Sequence, residues 1–570
     1  MQRSLLAQAL GLAALLALPA SAQIADYTPL DEQTLRNPSP GDWLQWRNTD
    51  NGWGYSALDQ ITPDNVGALR MVWGWAMEPG QQETGPLIYN GTMFLANPGG
   101  LIQALNAETG DLLWEYKREF GDTVRPGAIT RGLAVFGDHI YYAAPDAVMV
   151  ALDARTGQIA WETVVADTQV GHYFTAAPIV AEGMVVAGYQ GCNRFREDKC
   201  AIVGIDAASG EEMWRVDTIE PESEGDSWGG TPHLLRGGGD IWTSGTYDAE
   251  NGLVLIGVSQ AKPWARASRG HDGATLYTNA VLAIEPATGE VAWYRQYIPG
   301  DSNDMDEAFE HMLIEIEGSD RYVNMGKLGI LWQGDPADGA ATAAYDLGWQ
   351  NQIDLQGAAF ADYRDGMVPD VNVPIAMCPS TAGFRSWRAM AFSPETRAVY
   401  VPISMNCDAA MIYREVEMVE GGGGNGQAGS TRTMHPDSPE NMGRFVAMNV
   451  DTGDVLWQHD MRAPANTSTL TTAGGVMFAG DWDRNLYAFD QATGEVLWQT
   501  RLPQAAQGYL AAYAVNGRQY IAVPIGVGGA SWSTSLPITL LPGPACRSRC
   551  CRKSAVPRPA TACWFSPCLM

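Results

Sequence analysis

One short pattern recurs along the chain and limits the fold more than any other feature. Its copies are ALNAETGDLLW (104–114), ALDARTGQIAW (151–161), GIDAASGEEMW (204–214), AIEPATGEVAW (283–293), AMNVDTGDVLW (447–457) and AFDQATGEVLW (488–498). In each copy an apolar run leads to Thr or Ser, then Gly, and a Trp follows four residues after that Gly. Because Gly readily adopts the positive φ of a tight turn, each copy predicts a β-hairpin.

A repeated hairpin unit of this size cannot bury both of its faces, so neighbouring units must stack on one another. A Trp at one fixed place in every copy suits the joint between adjacent sheets. Further strands alternate apolar and polar residues between Gly, Asn or Asp, for example in 85–97, 132–144 and 177–189. No long, periodic helix is visible, and the strand groups support seven or eight blades. The pattern therefore predicts an all-β fold, a β-propeller with tryptophan-docking repeats.

The charge of the chain narrows its possible partners. The 570 residues carry a formal net charge of −29, which argues against nucleic acid or an anionic membrane surface as a partner. Two explanations of this charge stay open: a soluble acidic secreted protein, or docking to a basic protein partner.

The first 22 residues have the pattern of a signal peptide. Arg3 begins it, Leu5 to Leu18 form the apolar run, and Ala20-Ser21-Ala22 is a small-residue cleavage pattern. The run is too short to be a stable membrane anchor, so we expect a periplasmic protein. Residues 23–40 then form a polar lead-in, and 41–540 the propeller.

Cysteine usage agrees with export to an oxidising compartment. Only four cysteines lie in the repeating body, and export permits disulfides. We expect the pairs Cys192–Cys200 and Cys378–Cys407, each of which would close a local loop.

The last part of the chain, 541–570, differs from the rest. No Asp or Glu follows Glu495, and five cysteines lie within 546–570. Back-translation of 562–570 with ordinary codons is compatible with a hydrophobic strand in another reading frame. We therefore expect a frameshift in the gene or its sequencing; a frameshift that is real in the organism would remove the closing strand and leave a sheet edge open. The alternative is a genuine Cys-rich tail.

Three longer excursions interrupt the repeat, at 220–240, 333–375 and 412–442. Long insertions of a propeller fall in loops at its faces, where sites are built. Plain surface decoration is the other interpretation.

The N-terminal stretch, the Trp repeats and several segments between them resemble the quinoprotein alcohol dehydrogenases, over about residues 40–530. This resemblance implies an eight-bladed propeller that carries pyrroloquinoline quinone (PQQ) and a metal ion on its axis. Within that family the chain is most similar to the soluble sorbose/sorbosone-type enzymes, with polyvinyl alcohol dehydrogenase as another comparison.

The resemblance also implies residue roles. Its cofactor-binding positions fall on Glu83 in QETGPLI, Arg131 in TRGLAVFGD, Thr175 in FTAAPIV, Trp242 in GGGDIWTSGTYD, Lys327 in NMGKLGILW and Trp387 in RSWRAM. Arg131 would bind a PQQ carboxylate in bidentate fashion, and Trp242 would stack on the ring. Asp304 in PGDSNDMDEAFE matches the catalytic aspartate, which takes the hydroxyl proton, and Lys327 would reach the reactive carbonyl.

The implied metal ligands are Asn193, Gln260, Asp304 and Asp306. Asp306 matches the position where lanthanide-using relatives place an extra carboxylate, whereas the usual Glu aligns with Asn193. Two negative charges in all favour Ca²⁺, with a lanthanide as the alternative.

Some family features are absent from the sequence. Arg125-Pro126 replaces an adjacent cysteine pair, and Ser386 stands where an Asn usually precedes the loop Trp. No Cys-x-x-Cys-His heme motif occurs, so we expect electrons to leave to a periplasmic cytochrome c.

The resemblance thus implies a PQQ-dependent dehydrogenase that oxidises a polyol, a sugar or a bulky secondary alcohol. The rival function is a non-catalytic propeller scaffold of outer-membrane assembly, and retention of added PQQ would distinguish the two.

Overall fold

The computed structural model describes residues 24–122, 124 and 128–526, and the backbone of 560–567. The proposed signal peptide and Arg125-Pro126 lie outside these residues. Short antiparallel strands dominate, each paired with its neighbour in the chain. Four-stranded sheets follow one another from residue 87 to 346. Their strands are Leu87–Tyr89, Thr92–Ala96, Leu101–Asn106 and Leu112–Lys117; Ala134–Phe136, His139–Ala144, Val148–Asp153 and Ile159–Val164; Ile179–Ala181, Met184–Gly188, Ala201–Asp206 and Glu212–Asp217; Thr246–Asp248, Leu253–Val258, Ala280–Ile284 and Val291–Gln296; and Met312–Ile316, Ser319–Met325, Ile330–Gly334 and Ala341–Asp346.

The remaining large sheets follow in the second half of the chain. One contains Ala391–Ser393, Ala398–Ser404, Gly443–Asn449 and Val455–Met461. The next contains Leu470–Thr472, Val476–Gly480, Asn485–Asp490 and Val496–Arg501, with the early strand Tyr55–Ser56 parallel at its edge. The last contains Ala505–Ala506, Ala511–Val515 and Arg518–Gly526 together with Leu69–Met77 and Ala560–Pro567. An early strand and the last described strand thus lie in one sheet.

That last sheet corrects an expectation from the sequence. We expected the tail to leave a sheet edge open, but the backbone of Ala560–Pro567 pairs antiparallel with both Leu69–Met77 and Arg518–Gly526. The frameshift itself stays a prediction. The expected number of eight blades also stays a prediction, because closure of the propeller ring depends on the strand Ala560–Pro567.

Smaller elements occupy the excursions and loops. The small sheets consist of Gly237–Gly238 with Ala261–Lys262, of Ile353–Gln356 with Phe360–Tyr363, and of Ile375–Met377 with Asn406–Tyr413 and Gln427–Met434. The α-helices are Glu32–Arg36 and Arg266–Arg269, and the 3₁₀ turns are Val66–Ala68, Thr168–Val170 and His233–Leu235. None of the helices in the described part of the chain is long and apolar enough to cross a membrane.

The repeated Trp joins neighbouring sheets, as the pattern predicted. The indole N–H of Trp114 donates to the carbonyl of Ala154 in the next sheet at 2.9 Å. Its ring packs on the turn Gly157, whose φ is 69°, and a Cβ on that glycine would lie 2.4 Å from the ring. The same contact with the following sheet is made by Trp161, Trp214, Trp293 and Trp457. Gly is therefore needed both for the turn and for the space that the Trp fills.

The hydrophobic core lies between sheets. One cluster joins Phe94, Ile140 and Val203, which belong to three successive sheets. Two disulfides, Cys192–Cys200 and Cys378–Cys407, connect the loops as predicted.

Candidate active site

A cavity of about 420 Å³ is lined by residues from loops of several sheets. It gathers most of the residues that the family resemblance singled out. The predicted residues that line it are Glu83, Arg131, Asn193, Trp242, Gln260, Asp304, Asp306, Lys327 and Trp387. Thr175 is the exception, since it lines an adjoining cleft instead. Positions separated by some 300 residues of sequence thus share one site, although their individual roles stay predictions.

Arg131 lines the cavity and connects several neighbouring residues through its guanidinium group. Its Nη2 lies 2.6 Å from Oε2 of Glu83, and both side chains are buried. Its Nη1 donates to the hydroxyl of Thr175 and to the carbonyl of Trp242, each at 2.7 Å. Thr175 therefore acts here by holding Arg131, and its direct contact with a cofactor stays a prediction.

Two tryptophans that the family resemblance singled out line the cavity. The Trp242 ring lies edge to face against Phe309, with centroids 5.1 Å apart, and the Arg131 guanidinium carbon is 5.4 Å from its centroid. Trp387 is buried, and the hydroxyl of Tyr509 donates to its carbonyl at 3.1 Å. Aromatic ring faces suit a planar ring system.

In the same cavity, one ammonium lies between two carboxylates. Nζ of Lys327 is 3.0 Å from Oδ2 of Asp304 and 2.9 Å from Oδ2 of Asp306. It also donates to the carbonyl of Asp304 at 2.7 Å. The backbone N–H of Gln260 donates to Oδ1 of Asp306 at 2.9 Å.

Burial dominates the electrostatics of this cluster. It raises the pKa of Asp304 well above its usual range; Lys327 opposes this shift and Asp306 adds to it. Burial likewise raises the pKa of Asp306, against the effect of Lys327. Burial acts to lower the pKa of Lys327, but the two carboxylates outweigh it and the net pKa is raised. Burial and the pairing with Lys327 thus act in opposite directions on the pKa of both carboxylates.

Sequence reasoning missed a second buried ion pair in the same cavity. Lys262 pairs with Oδ2 of Asp240, whose Oδ1 accepts the backbone N–H groups of Gly191 at 2.7 Å and Cys192 at 3.1 Å. Burial acts to raise the pKa of Asp240, yet Lys262 and these donors lower it overall. Both residues lie in stretches that contain other predicted site residues, GGGDIW and SQAKPW. The feature that could have identified them is a charged residue in a segment that otherwise consists of apolar or small residues.

The unpaired polar atoms of the cavity fit PQQ. Within the described structure, the residues that line it have six buried side-chain atoms without a hydrogen-bond partner: Glu83 Oε1, Arg131 Nε, Ser259 Oγ, Gln260 Oε1, Trp264 Nε1 and Trp387 Nε1. Buried polar groups normally have partners, so these atoms point to a polar ligand. A flat quinone with carboxylate groups offers acceptors to the N–H groups and a ring face to Trp242.

The donor set also fits a hard cation. Asp304, Asp306, Gln260 and Asn193 all offer side-chain oxygen, which Ca²⁺ prefers. Elsewhere in the described residues, the two groups of three potential ligands each include a disulfide, so their cysteines are not available as thiolates.

Comparison with known proteins agrees with this site. Residues 43–325 and 349–521 match the family model described as PQQ: Glucose/ethanol/alcohol dehydrogenase, beta-propeller domain. The quinohemoprotein alcohol dehydrogenase of Comamonas testosteroni is 30% identical over 510 residues, which cover 83% of this chain and 71% of that protein. The 1-butanol dehydrogenase (cytochrome c) of Thauera butanivorans is 27% identical over 520 residues, or 86% of this chain and 75% of that protein.

A solved structure leads to the same conclusion. The quinohemoprotein alcohol dehydrogenase ADHIIG of Pseudomonas putida superposes with a TM-score of 0.81 at 25% identity, covering 95% of this chain and 82% of that one. The chain therefore belongs to the PQQ-dependent alcohol dehydrogenases, β-propeller oxidoreductases that act on the CH–OH group of their substrates.

Proposed function

We propose that this protein is a periplasmic enzyme that uses PQQ and Ca²⁺ to oxidise a polyol, a sugar or a bulky secondary alcohol to an aldehyde or ketone. The observation that carries this proposal is the Asp304–Lys327–Asp306 cluster. It shares one cavity with Arg131, with Trp242 and with the residues whose buried polar atoms lack a hydrogen-bond partner.

Asp304 is the general base in this proposal. Its carboxylate accepts the hydroxyl proton of the alcohol, and burial makes it more basic than an ordinary aspartate. Lys327 opposes the effect of burial and favours the ionised form of Asp304, since its ammonium lies 3.0 Å from Oδ2. The same ammonium would donate to an oxygen of the bound quinone, where negative charge develops.

The remaining wall residues position the cofactor. Arg131 binds a carboxylate of PQQ in this proposal, with Nε as its one guanidinium nitrogen that lacks a partner among the described residues, while Glu83 and Thr175 hold the guanidinium in place. Trp242 supplies a stacking face, and the N–H of Trp387 donates to a polar edge. When bound, PQQ supplies the hydride acceptor, and the protein contributes binding, orientation and electrostatics.

For the metal, we propose Ca²⁺ held by Asp304, Asp306, Gln260 and Asn193. Asp304 and Asp306 bring two negative charges and the two amides bring none, a balance that suits a divalent ion better than a trivalent one. A lanthanide is the alternative outcome of metal reconstitution.

The size of the site supports an alcohol larger than methanol. A cleft of about 790 Å³ adjoins the cavity. The two share Ile129, Arg131, Tyr173, Gln190 and Asn193. A substrate with a bulky skeleton would have room in this cleft.

We further propose that a basic cytochrome c accepts the electrons. The name of the Thauera relative supports a cytochrome c, and a net charge of −29 favours a basic partner. The signal-peptide pattern of residues 1–22 supports a periplasmic location.

The experiment is reconstitution of the purified protein with PQQ and Ca²⁺, followed by an alcohol panel with an artificial electron acceptor. We expect PQQ to remain bound through gel filtration and larger alcohols to be oxidised. Loss of PQQ on the column, with no alcohol turned over, would favour the scaffold function instead.

A further inference from the structure

The backbone at Asp304 adopts a conformation that non-glycine residues rarely take. Its φ is 61°, in the left-handed region. Such a conformation costs free energy and persists only where the surroundings hold it. Hydrogen bonds from neighbouring residues hold the backbone of this proposed general base.

Asp301 secures both sides of Asp304. Its Oδ1 accepts the backbone N–H of Asn303 at 3.2 Å, and its Oδ2 accepts that of Met305 at 3.0 Å. Asp301 is fully buried, so water does not compete for these bonds. The carboxylate therefore holds the peptide group between Asp304 and Met305 and the one between Ser302 and Asn303.

Tyr363 in turn holds Asp301. Its hydroxyl donates to Oδ1 of Asp301 at 2.5 Å and accepts the backbone N–H of Ser302 at 2.9 Å. Tyr363 ends the hairpin Ile353–Gln356/Phe360–Tyr363, which belongs to the excursion 333–375. The guanidinium carbon of Arg266 lies 5.3 Å from its ring centroid.

The side chain of Asn303 is bound by the same part of the chain. Its Nδ2 donates to Oε1 of Gln352 at 3.0 Å and to the carbonyl of Met367 at 3.2 Å. The hydroxyl of Tyr413 donates to its Oδ1 at 3.2 Å. Residues 301, 302 and 303 are thus each bonded to residues outside their own loop.

We propose that the hairpin that ends at Tyr363 is a brace for the active site, that is, an element that holds the backbone around Asp304. In this proposal Tyr363 is a positioning residue for Asp304. It acts through Asp301, without touching substrate or cofactor. This inference rests on the proposed function, because it assigns Tyr363 a part in the reaction of Asp304. It gives the excursion 333–375 a role other than surface decoration.

The test is Tyr363→Phe, which removes one hydroxyl and keeps the ring. The matched control is Tyr400→Phe, because the hydroxyl of Tyr400 likewise donates one hydrogen bond within the protein, to the carbonyl of Gln491 at 3.0 Å, outside the cavity. Loss of a phenol hydrogen bond lowers stability in both variants. Only loss of the brace should affect Asp304.

In PQQ- and Ca²⁺-loaded protein, we expect Tyr363→Phe to lower kcat about tenfold or more, since displacement of a reacting group by about 1 Å costs up to about 100-fold. KM for the alcohol and the bound PQQ per protein should stay as in the control. Hydrogen exchange at the amide of Met305 should be faster than in Tyr400→Phe. Equal kcat and equal exchange in the two variants would overturn the inference.

Two further outcomes are distinguishable. If the unsubstituted protein oxidises no alcohol, the proposed function fails, while the exchange comparison still decides whether Tyr363 braces the loop. If Tyr363→Phe does not fold, Asp301→Asn takes its place, because it replaces one oxygen of the carboxylate through which Tyr363 acts. It should lower kcat with unchanged KM, and an unchanged kcat there would count against the brace.

Discussion

Nη2 of Arg131 lies 2.6 Å from Oε2 of Glu83, and both side chains are buried in the cavity wall. The other terminal nitrogen of Arg131 is bonded to Thr175 and to the carbonyl of Trp242. Three acceptors therefore orient one guanidinium, and Nε is left unpaired at the cavity. A pre-oriented guanidinium of this kind suits a carboxylate ligand.

The first prediction concerns Arg131→Lys. Lysine keeps the positive charge but cannot bond Glu83, Thr175 and the Trp242 carbonyl in the same geometry. We expect PQQ to bind at least about tenfold more weakly, which corresponds to about 1.4 kcal/mol. Titration of metal-loaded protein with PQQ, followed by absorbance, measures this. Arg397→Lys, at an ion pair with Asp451 outside the cavity, is the control and should bind PQQ normally.

The second prediction concerns Asp304→Asn. The amide retains the shape of the side chain but cannot accept a proton, so turnover should fall by about 10²–10⁴-fold. Bound PQQ, measured by absorbance, should be retained. Near-normal turnover in this variant would show that another group is the base.

The third prediction concerns the metal. Asp304 and Asp306 lie on either side of the Lys327 ammonium, and their charges match a divalent ion. Chelator-treated protein should regain alcohol oxidation with Ca²⁺. Parallel reconstitution with La³⁺ and Ce³⁺ is the comparison, and activity only with these ions would reverse the assignment.

The fourth prediction concerns the Asp240–Lys262 pair. Lys262→Met leaves the buried Asp240 carboxylate without its cation, which should lower the free energy of unfolding by about 3–5 kcal/mol. The double variant Lys262→Met/Asp240→Asn should recover part of this loss, because it removes the unpaired charge. Urea unfolding of all variants measures the coupling. If the losses in unfolding free energy of the single variants add up to the loss of the double variant, the interaction between Asp240 and Lys262 contributes no stability.

The fifth prediction concerns His311 and pH. Burial, with a smaller contribution from Arg295, lowers the pKa of His311 to about 3. The unfolded chain therefore binds a proton between pH 6.5 and about 3 that the folded chain does not. The stability contributed by the neutral histidine is present above pH 6.5 and is lost as the pH falls through this window, by up to about 1.4 kcal/mol per pH unit.

Comparison with His311→Asn isolates this contribution from those of other groups. Unfolding free energies measured from pH 7 to pH 5 should fall more steeply for the unsubstituted protein than for the variant. Parallel slopes would contradict the assignment.

The repeat could be read from the sequence because its determinants are local. The turn Gly and the Trp four residues later lie in one hairpin, and their spacing alone indicated a joint between sheets, which the Trp114–Gly157 contact confirms. The candidate site residues came from motif resemblance. The sequence could not say that Thr175 would hold Arg131 and line a neighbouring cleft.

Tertiary structure decided what depends on pairing between distant segments. Asp240 and Lys262 meet because Gly237–Gly238 pairs with Ala261–Lys262, and no local pattern predicts that register. The strand Ala560–Pro567 likewise has partners only because the start and the end of the propeller meet. Tyr363 reaches Asp301 across 62 residues. Hydrogen bonds require close and directed contact, so only the folded chain could identify the residues that hold the backbone of Asp304.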